Sequence, residues 1–385
     1  MTDWRTYKGQ YPWPIVPVVD KISYNEGNRI TTSSEPVWKL EDNLSHTPIT
    51  TIHEPCSYWS KISIPSMAYN YITAFRSPTP ASVDRINYYT GVVEASGVFS
   101  SKYASAFSFR NAVYSNKFYT VCYNSTAPYS LDLIEYDITL QVVVRELVIQ
   151  SGQGVVYTTA LVNNLLYVSL FSSLLNKSML ITVNLDLFAV ISSMTISDSY
   201  GSAYNLVITG TYAFLFGYNK ITQVRLSDMT EVSTVGISEA YNVAVNDAKT
   251  ECVVACNSYT LYKFSLTSVP PVLLSTKVVS FLTSPYNSSA VDRRSNDVYF
   301  GDKFDFIVHK INIDAFDVVT DYVYGDATTS APVAFYVIEN KLWLCYNYIW
   351  IDIYRKIVRI DLTTMTYDLI IDVPTGNALT DIIFS

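Results

Sequence analysis

A chain of 385 residues with 49% hydrophobic side chains can bury one large core or two ordinary ones. Charged residues make up 16%, and 26 Lys and Arg against 34 Asp and Glu leave a net charge of −8 without a long charge run. This balance excludes a disordered chain, a collagen-like one and a polyanion-binding surface. Tyr contributes 32 residues and Gly only 13, with Ser, Thr and Asn frequent, a profile that favours β-structure with hydroxyl-rich faces.

Residues 1–57 carry Pro12, Pro14, Pro17, Pro36, Pro48 and Pro55, which suit an extended arm rather than a domain. Their short apolar segment from Ile15 to Val19 falls below the roughly 7–15 residues of a secretory signal. Apolar runs elsewhere are strand-sized, so no transmembrane segment is expected. His46 and His53, with Glu41, Asp42 and Glu54 nearby, are too unspecific to define a metal centre. Cys56, Cys122, Cys252, Cys256 and Cys345 are widely spread and read as buried free thiols, not as a disulfide framework or zinc site.

From residue 58 onward one short pattern recurs: an apolar residue, a usually polar one, an apolar or aromatic one, then usually a turn former. It starts at Ile86, Tyr136, Val183, Val224, Phe264, Ile311 and Ile360, at spacings of 50, 47, 41, 40, 47 and 49 residues. Each instance ends a strand and opens a turn into the next. A second echo, Met67-Ala68-Tyr69-Asn70, Ser202-Ala203-Tyr204-Asn205 and Glu239-Ala240-Tyr241-Asn242, opens apolar segments of its own. Each period of about 45 residues then holds about four short antiparallel strands, the signature of a propeller blade. Such a blade is apolar on both faces and must be flanked by a neighbour on each side. The expected fold is therefore all-β, a seven-bladed β-propeller over residues 58–385, closed by a C-terminal strand from Ala378 to Ser385 that joins the first blade.

On elements such as Val358-Arg359-Ile360-Asp361-Leu362-Thr363-Thr364, the chain resembles the seven-bladed propeller superfamily, particularly its quinoprotein-like and surface-layer-type branch. It departs in lacking the Gly that often follows Thr in that turn, except at Thr90-Gly91. The resemblance implies an architecture and no single function.

No H-E-x-x-H, G-x-S-x-G, Walker or dinucleotide motif occurs, and neither a catalytic residue nor a cofactor is expected. His309, in a repeat strand, reads as a hydrogen-bonded structural histidine. Asp247, Asp292, Arg293, Arg294 and Asp302 are the polar residues expected near the ends of blades. Asp247 and Asp292-Arg293 occupy matching places in their repeats, which favours a recurring structural turn. Trp343, Tyr346, Tyr348, Trp350 and Tyr354 crowd one hairpin of the seventh repeat, where they either wedge two blades together or form a stacking surface. Trp343, Tyr346, Tyr348 and Trp350, with Arg293 and Arg294, are the candidate ligand-binding residues. Four Asn-x-Ser/Thr sequons, at Asn43, Asn124, Asn176 and Asn287, matter if the chain meets a glycosylation machinery.

The functional reading is a noncatalytic structural or binding propeller on a virion or extracellular surface, without a classical signal peptide. Its expected partners are other virion or surface proteins, or a host surface glycan or protein, with no nucleic acid. Scarce charge and abundant hydroxyls resemble the composition of virion proteins from viruses of hot-acid archaea, for which host attachment is the implied role. The alternatives are a cytoplasmic propeller hydrolase or lyase with a polar axial pocket, and an intracellular scaffold.

Overall fold

The computed structural model describes residues 71–77, 82–98, 103–106, 111–115, 117–137, 140, 142–197, 205–238, 240–256, 260–279, 285–302, 307–316, 319–323, 332–338, 340–347, 355–372 and 378–384. The arm expected at residues 1–57 lies outside them, as do its histidines and Cys56. Among the described residues all regular structure is strand, arranged as seven antiparallel sheets. The chain is a seven-bladed β-propeller.

Ala378–Phe384 is the innermost strand of the first blade, followed outward by Tyr71–Ser77, Ser82–Asn87 and Val93–Val98. The chain's last strand therefore pairs with its first described one, Ile72 against Phe384 through Ser77 against Ala378. In the second blade two short strands, Tyr103–Ala106 and Ala112–Tyr114, both pair with Lys117–Asn124, and Ser130–Asp137 and Val142–Ser151 follow outward. The third blade runs Gly154–Val162, Leu165–Ser172, Lys177–Asn184 and Ala189–Thr195. Asn205–Thr209, Tyr212–Phe216, Lys220–Arg225 and Thr230–Gly236 make the fourth. In the fifth they are Ala240–Val245, Glu251–Cys256, Thr260–Ser265 and Val272–Val278. The sixth holds Pro285–Asp292, Asp297–Asp302, Ile307–Asn312 and Val319–Val323, and the seventh Pro332–Ile338, Lys341–Asn347, Arg355–Asp361 and Thr366–Asp372.

The core is divided among the spaces between blades, because period-two alternation sends successive side chains of one strand to opposite neighbours. In Glu251–Cys256, Cys252, Val254 and Cys256 pack with Phe214 and Phe216 of the fourth blade, while Val253 and Ala255 pack with Val298 and Phe300 of the sixth. Second strands are consequently buried on both faces, and outer strands such as Val272–Val278 are exposed. Cys122, Cys252, Cys256 and Cys345 are buried thiols. Burial pushes the Cys122 and Cys252 thiols well above their ordinary range, which suits packing and not reactivity.

The sequence repeat acquires a physical meaning here. Its first residue, from Ile86 to Ile360, is buried in all seven blades. The polar second residue caps the turn that follows: Asn87 Oδ1 accepts from the Tyr89 and Thr90 amides, Asn312 Oδ1 from Asp314 and Ala315, and Asp361 Oδ1 from Thr363 and Thr364. The third residue's amide donates to a carbonyl of the turn between the blade's two inner strands: Leu185 to Asn164, Leu226 to Thr211, Leu266 to Thr250, Ile313 to Asn296 and Leu362 to Asn340. A bulge follows in the outer strand of six blades, as where Lys263 pairs with Ser275 but Phe264 with Leu273.

The scarcity of Gly in this turn is also accounted for. The residue five positions after the repeat start is left-handed at Gly91, Phe188, Met229 and Met365, with φ of 72°, 51°, 54° and 55°. Each non-glycine side chain there is packed against the preceding blade. Arg145 of the second blade lies 4.3 Å over the Phe188 ring, Thr182 of the third contacts the Met229 sulfur at 4.0 Å, and Met365 packs into the cluster shared with the sixth blade. Contact of these half-buried side chains with the neighbouring blade works against the roughly 1–2 kcal/mol cost of the left-handed backbone.

Candidate functional site

One end of the ring carries the turns between the two inner strands of each blade, and these turns are linked from blade to blade. Thr209 Oγ1 donates to the Lys249 carbonyl, the Asp247 amide to Asn296 Oδ1, and Arg294 Nη2 to Asn340 Oδ1. Asp292 accepts two side-chain bonds and one backbone bond from Arg294, at 2.6–3.0 Å. Burial works against its charge, yet those bonds hold its carboxyl below the ordinary carboxylate value. Arg293 pairs with Asp247 at 3.5 Å, both exposed. Asp247, Asp292, Arg293 and Arg294 are thus brought together as a structural link between the fifth, sixth and seventh blades. Asp302 lies in the strand Asp297–Asp302 at the opposite end of its blade. His309 is buried, with Nδ1 2.7 Å from Asp321 Oδ1 on the adjacent outer strand.

Of the aromatic candidates, Trp343 is fully buried and packs on Tyr88 of the first blade, so it occupies the seam between blades. Tyr346 lies in the strand Lys341–Asn347, and Tyr348, Trp350 and Tyr354 fall outside the described residues. Of the sequons, Asn124 ends the strand Lys117–Asn124, Asn176 lies in the turn before Lys177–Asn184, and Asn287 lies in Pro285–Asp292. Asn43 is outside the described residues.

Sequence reasoning missed a buried polar cluster in the second blade. Tyr103 Oη lies within hydrogen-bond reach of Asp132, at 3.2 Å, and of Glu146; Ser130 and Asn124 also donate to Asp132. Desolvation, then the Glu146 bond, drives the Tyr103 hydroxyl far above its ordinary value, keeping it neutral as a donor. Alongside, Glu135 accepts from Tyr119 Oη at 2.8 Å and pairs with Arg145. Asp132 and Glu135 stand in a strand buried at every position, and only long-range pairing reveals it. Among the described residues no group of three or more His, Cys, Asp or Glu side chains is placed to hold a metal ion, and no helix is long and apolar enough to cross a membrane.

No protein family and no curated protein matches the sequence. Among solved structures the chain is similar to the β-propeller domain of Cps50 (Swd1) from Myceliophteria thermophila, with a TM-score of 0.54 and 11% identity over 72% of this chain and 90% of that one. The likeness is one of fold. It confirms the propeller architecture reached from the repeat, and assigns no partner or activity to this chain.

The outer strand of the fifth blade exposes three consecutive aliphatic residues, whereas the exposed Val142, Val144 and Val148 of the second blade are not consecutive. Val272, Leu273, Leu274 and Val278 are 48%, 48%, 47% and 70% exposed, and Val269 just before them is 49% exposed. The bulge opposite Lys263 and Phe264 inserts Leu274 between the paired residues Leu273 and Ser275. The seventh blade differs at the equivalent inserted position, where Asp368 is paired with Lys341 and Arg359.

Proposed function

We propose that this chain is a noncatalytic binding scaffold whose fifth-blade rim docks the apolar surface of a partner protein. The observation that carries this reading is the set of exposed aliphatic residues Val269, Val272, Leu273, Leu274 and Val278, in a segment with Lys277 as its single charge. Aliphatic groups gain from another protein's apolar atoms more than from a sugar's hydroxyls, which favours a protein over a glycan as the occupant. The low charge and hydroxyl-rich composition support a setting on a particle or cell exterior, as a virion or surface component. Asp292, one of the polar residues near the blade ends, is tied to Arg294 as part of a turn, and this favours a scaffold over a hydrolase or lyase.

The test is site-specific photo-crosslinking of the full chain in its native surroundings, with the photoreactive residue at Leu274 or, as a comparison, at exposed Val144 of the second blade. A discrete adduct from position 274, absent from 144 and lost on Leu273→Lys, is the expected result. Equal adducts from both positions, or none from 274, would overturn the reading.

A further inference from the structure

The geometry points to Asn176 as an N-glycan acceptor, a modification site independent of the fifth-blade rim. Asn176 is exposed in the turn joining Leu165–Ser172 to Lys177–Asn184, with the left-handed φ of 51° that Asn accepts more readily than most residues. The flanking Leu174 and Leu175 are 72% and 51% exposed, an apolar loop tip that an attached sugar would cover.

The second observation concerns the third residue of the sequon. Ser178 is fully buried, and its Oγ has no hydrogen-bond partner among the described residues. A buried hydroxyl without a partner destabilises the fold it sits in. The second blade places Leu131 at the same distance before its repeat motif, fully buried, so an apolar residue suits this position. Thr120, Thr158 and Thr222 carry buried hydroxyls of the same kind and stand in no sequon; at 178 the sequon gives the hydroxyl a role, recognition of the chain before the hairpin closes. Asn124 contrasts with this. Its amide donates to Asp132 at 3.3 Å and its Oδ1 accepts from the Thr126 amide at 3.0 Å, so a sugar on its nitrogen would disturb the buried cluster once the blade folds.

In the transfer, Asn176 Nδ2 attacks the anomeric carbon of an oligosaccharide carried on a polyprenyl diphosphate. The bond from that carbon to the diphosphate oxygen breaks, the lipid diphosphate leaves with the electron pair, and a carboxylate of the transferase takes the amide proton. Closure of the hairpin then buries Ser178 and leaves the sugar on the surface.

The experiment is fragmentation of intact glycopeptides from the full chain purified from its native source, with occupancy measured at Asn176 and Asn124. Sugar on most copies of Asn176 and on few of Asn124 is expected; bare Asn176, or equal occupancy at both, overturns the proposal. Ser178→Ala is the decisive variant. It should lose the sugar at Asn176 while unfolding at the same or a higher temperature when compared with deglycosylated parent protein. A lower unfolding temperature would mean that the hydroxyl serves the fold, and would overturn the argument. Asn176→Gly, which preserves the left-handed turn, should remove the same glycopeptide.

Discussion

The Trp343 indole lies 5.1 Å from the Tyr88 ring, joining the seventh blade to the first. The Arg359 guanidinium stands 5.7 Å from Tyr88 and 5.3 Å from Trp343, and its Nε donates to Asp368 at 2.6 Å. The seam is thus an aromatic pair under a cation that is itself fixed by a carboxylate. Because Trp343 is fully buried, Trp343→Ala leaves a large cavity where the ring must close. The expected loss is about 3–5 kcal/mol, read as a lower urea midpoint. Trp343→Phe, which keeps a ring against Tyr88, should lose less than half of that.

The same residues show how far the sequence is legible. The repeat position that ends in Tyr88 is readable because seven copies of a local pattern separate it from chance. The wedge role of Trp343 was one of two readings, since alternation gives a strand face but not the blade that faces it. The Tyr103, Asp132 and Glu146 cluster was invisible: its members are 29 and 43 residues apart from Tyr103, follow no repeat, and meet only through pairing of the second blade's strands. The ligand-binding reading of Arg293 and Arg294 came from their location at a blade end. What location could not supply was the partner of each, and Asp247 and Asp292 turn out to be in reach.

Strong acid should loosen the seventh blade's outer turn. The Lys341 ammonium beside Asp361, helped by the Thr363 and Thr364 amides, holds its carboxyl down at about 2, against an ordinary value of 3.8. A depressed carboxylate contributes stability that is fully present above the ordinary value and is lost as pH falls through the folded one. The stabilisation should therefore fade between about pH 4 and 2. Asp361→Asn keeps an oxygen to cap the turn, as Asn87 and Asn312 do in their blades, but removes the ion pair. Its unfolding temperature should be lower than the parent's at pH 6 and should change less across that acid window, as measured by a calorimetric pH series.

Gly91 should tolerate no side chain, although its counterparts in three other blades carry large ones. A Cβ there would lie 2.9 Å from Ile371 Cγ1, and the φ of 72° adds backbone strain. Ile371 is itself buried and has little room to yield. Gly91→Ala is expected to cost about 1–3 kcal/mol. Combined with Ile371→Ala, it should cost less than the sum of the two single changes, since the second removes the atom that the first would strike. Met229→Gly should behave in the opposite sense to relief of strain: it frees the backbone but empties the contact with Thr182, and is expected to be destabilising in the same urea titration.

Removal of residues 378–384 tests whether the ring is closed by that strand alone. The first blade would keep Tyr71–Ser77, Ser82–Asn87 and Val93–Val98, and Tyr71–Ser77 would become an unpaired edge facing the axis. Every other blade would retain all of its own strands, so local structure should survive while the cooperative link between the ends is lost. An exposed inner edge also invites pairing with other chains. The expected outcome is a shallower urea transition together with concentration-dependent association, followed by light scattering. A synthetic peptide covering residues 378–384 should suppress that association by filling the vacant edge, whereas a scrambled peptide of the same composition should not.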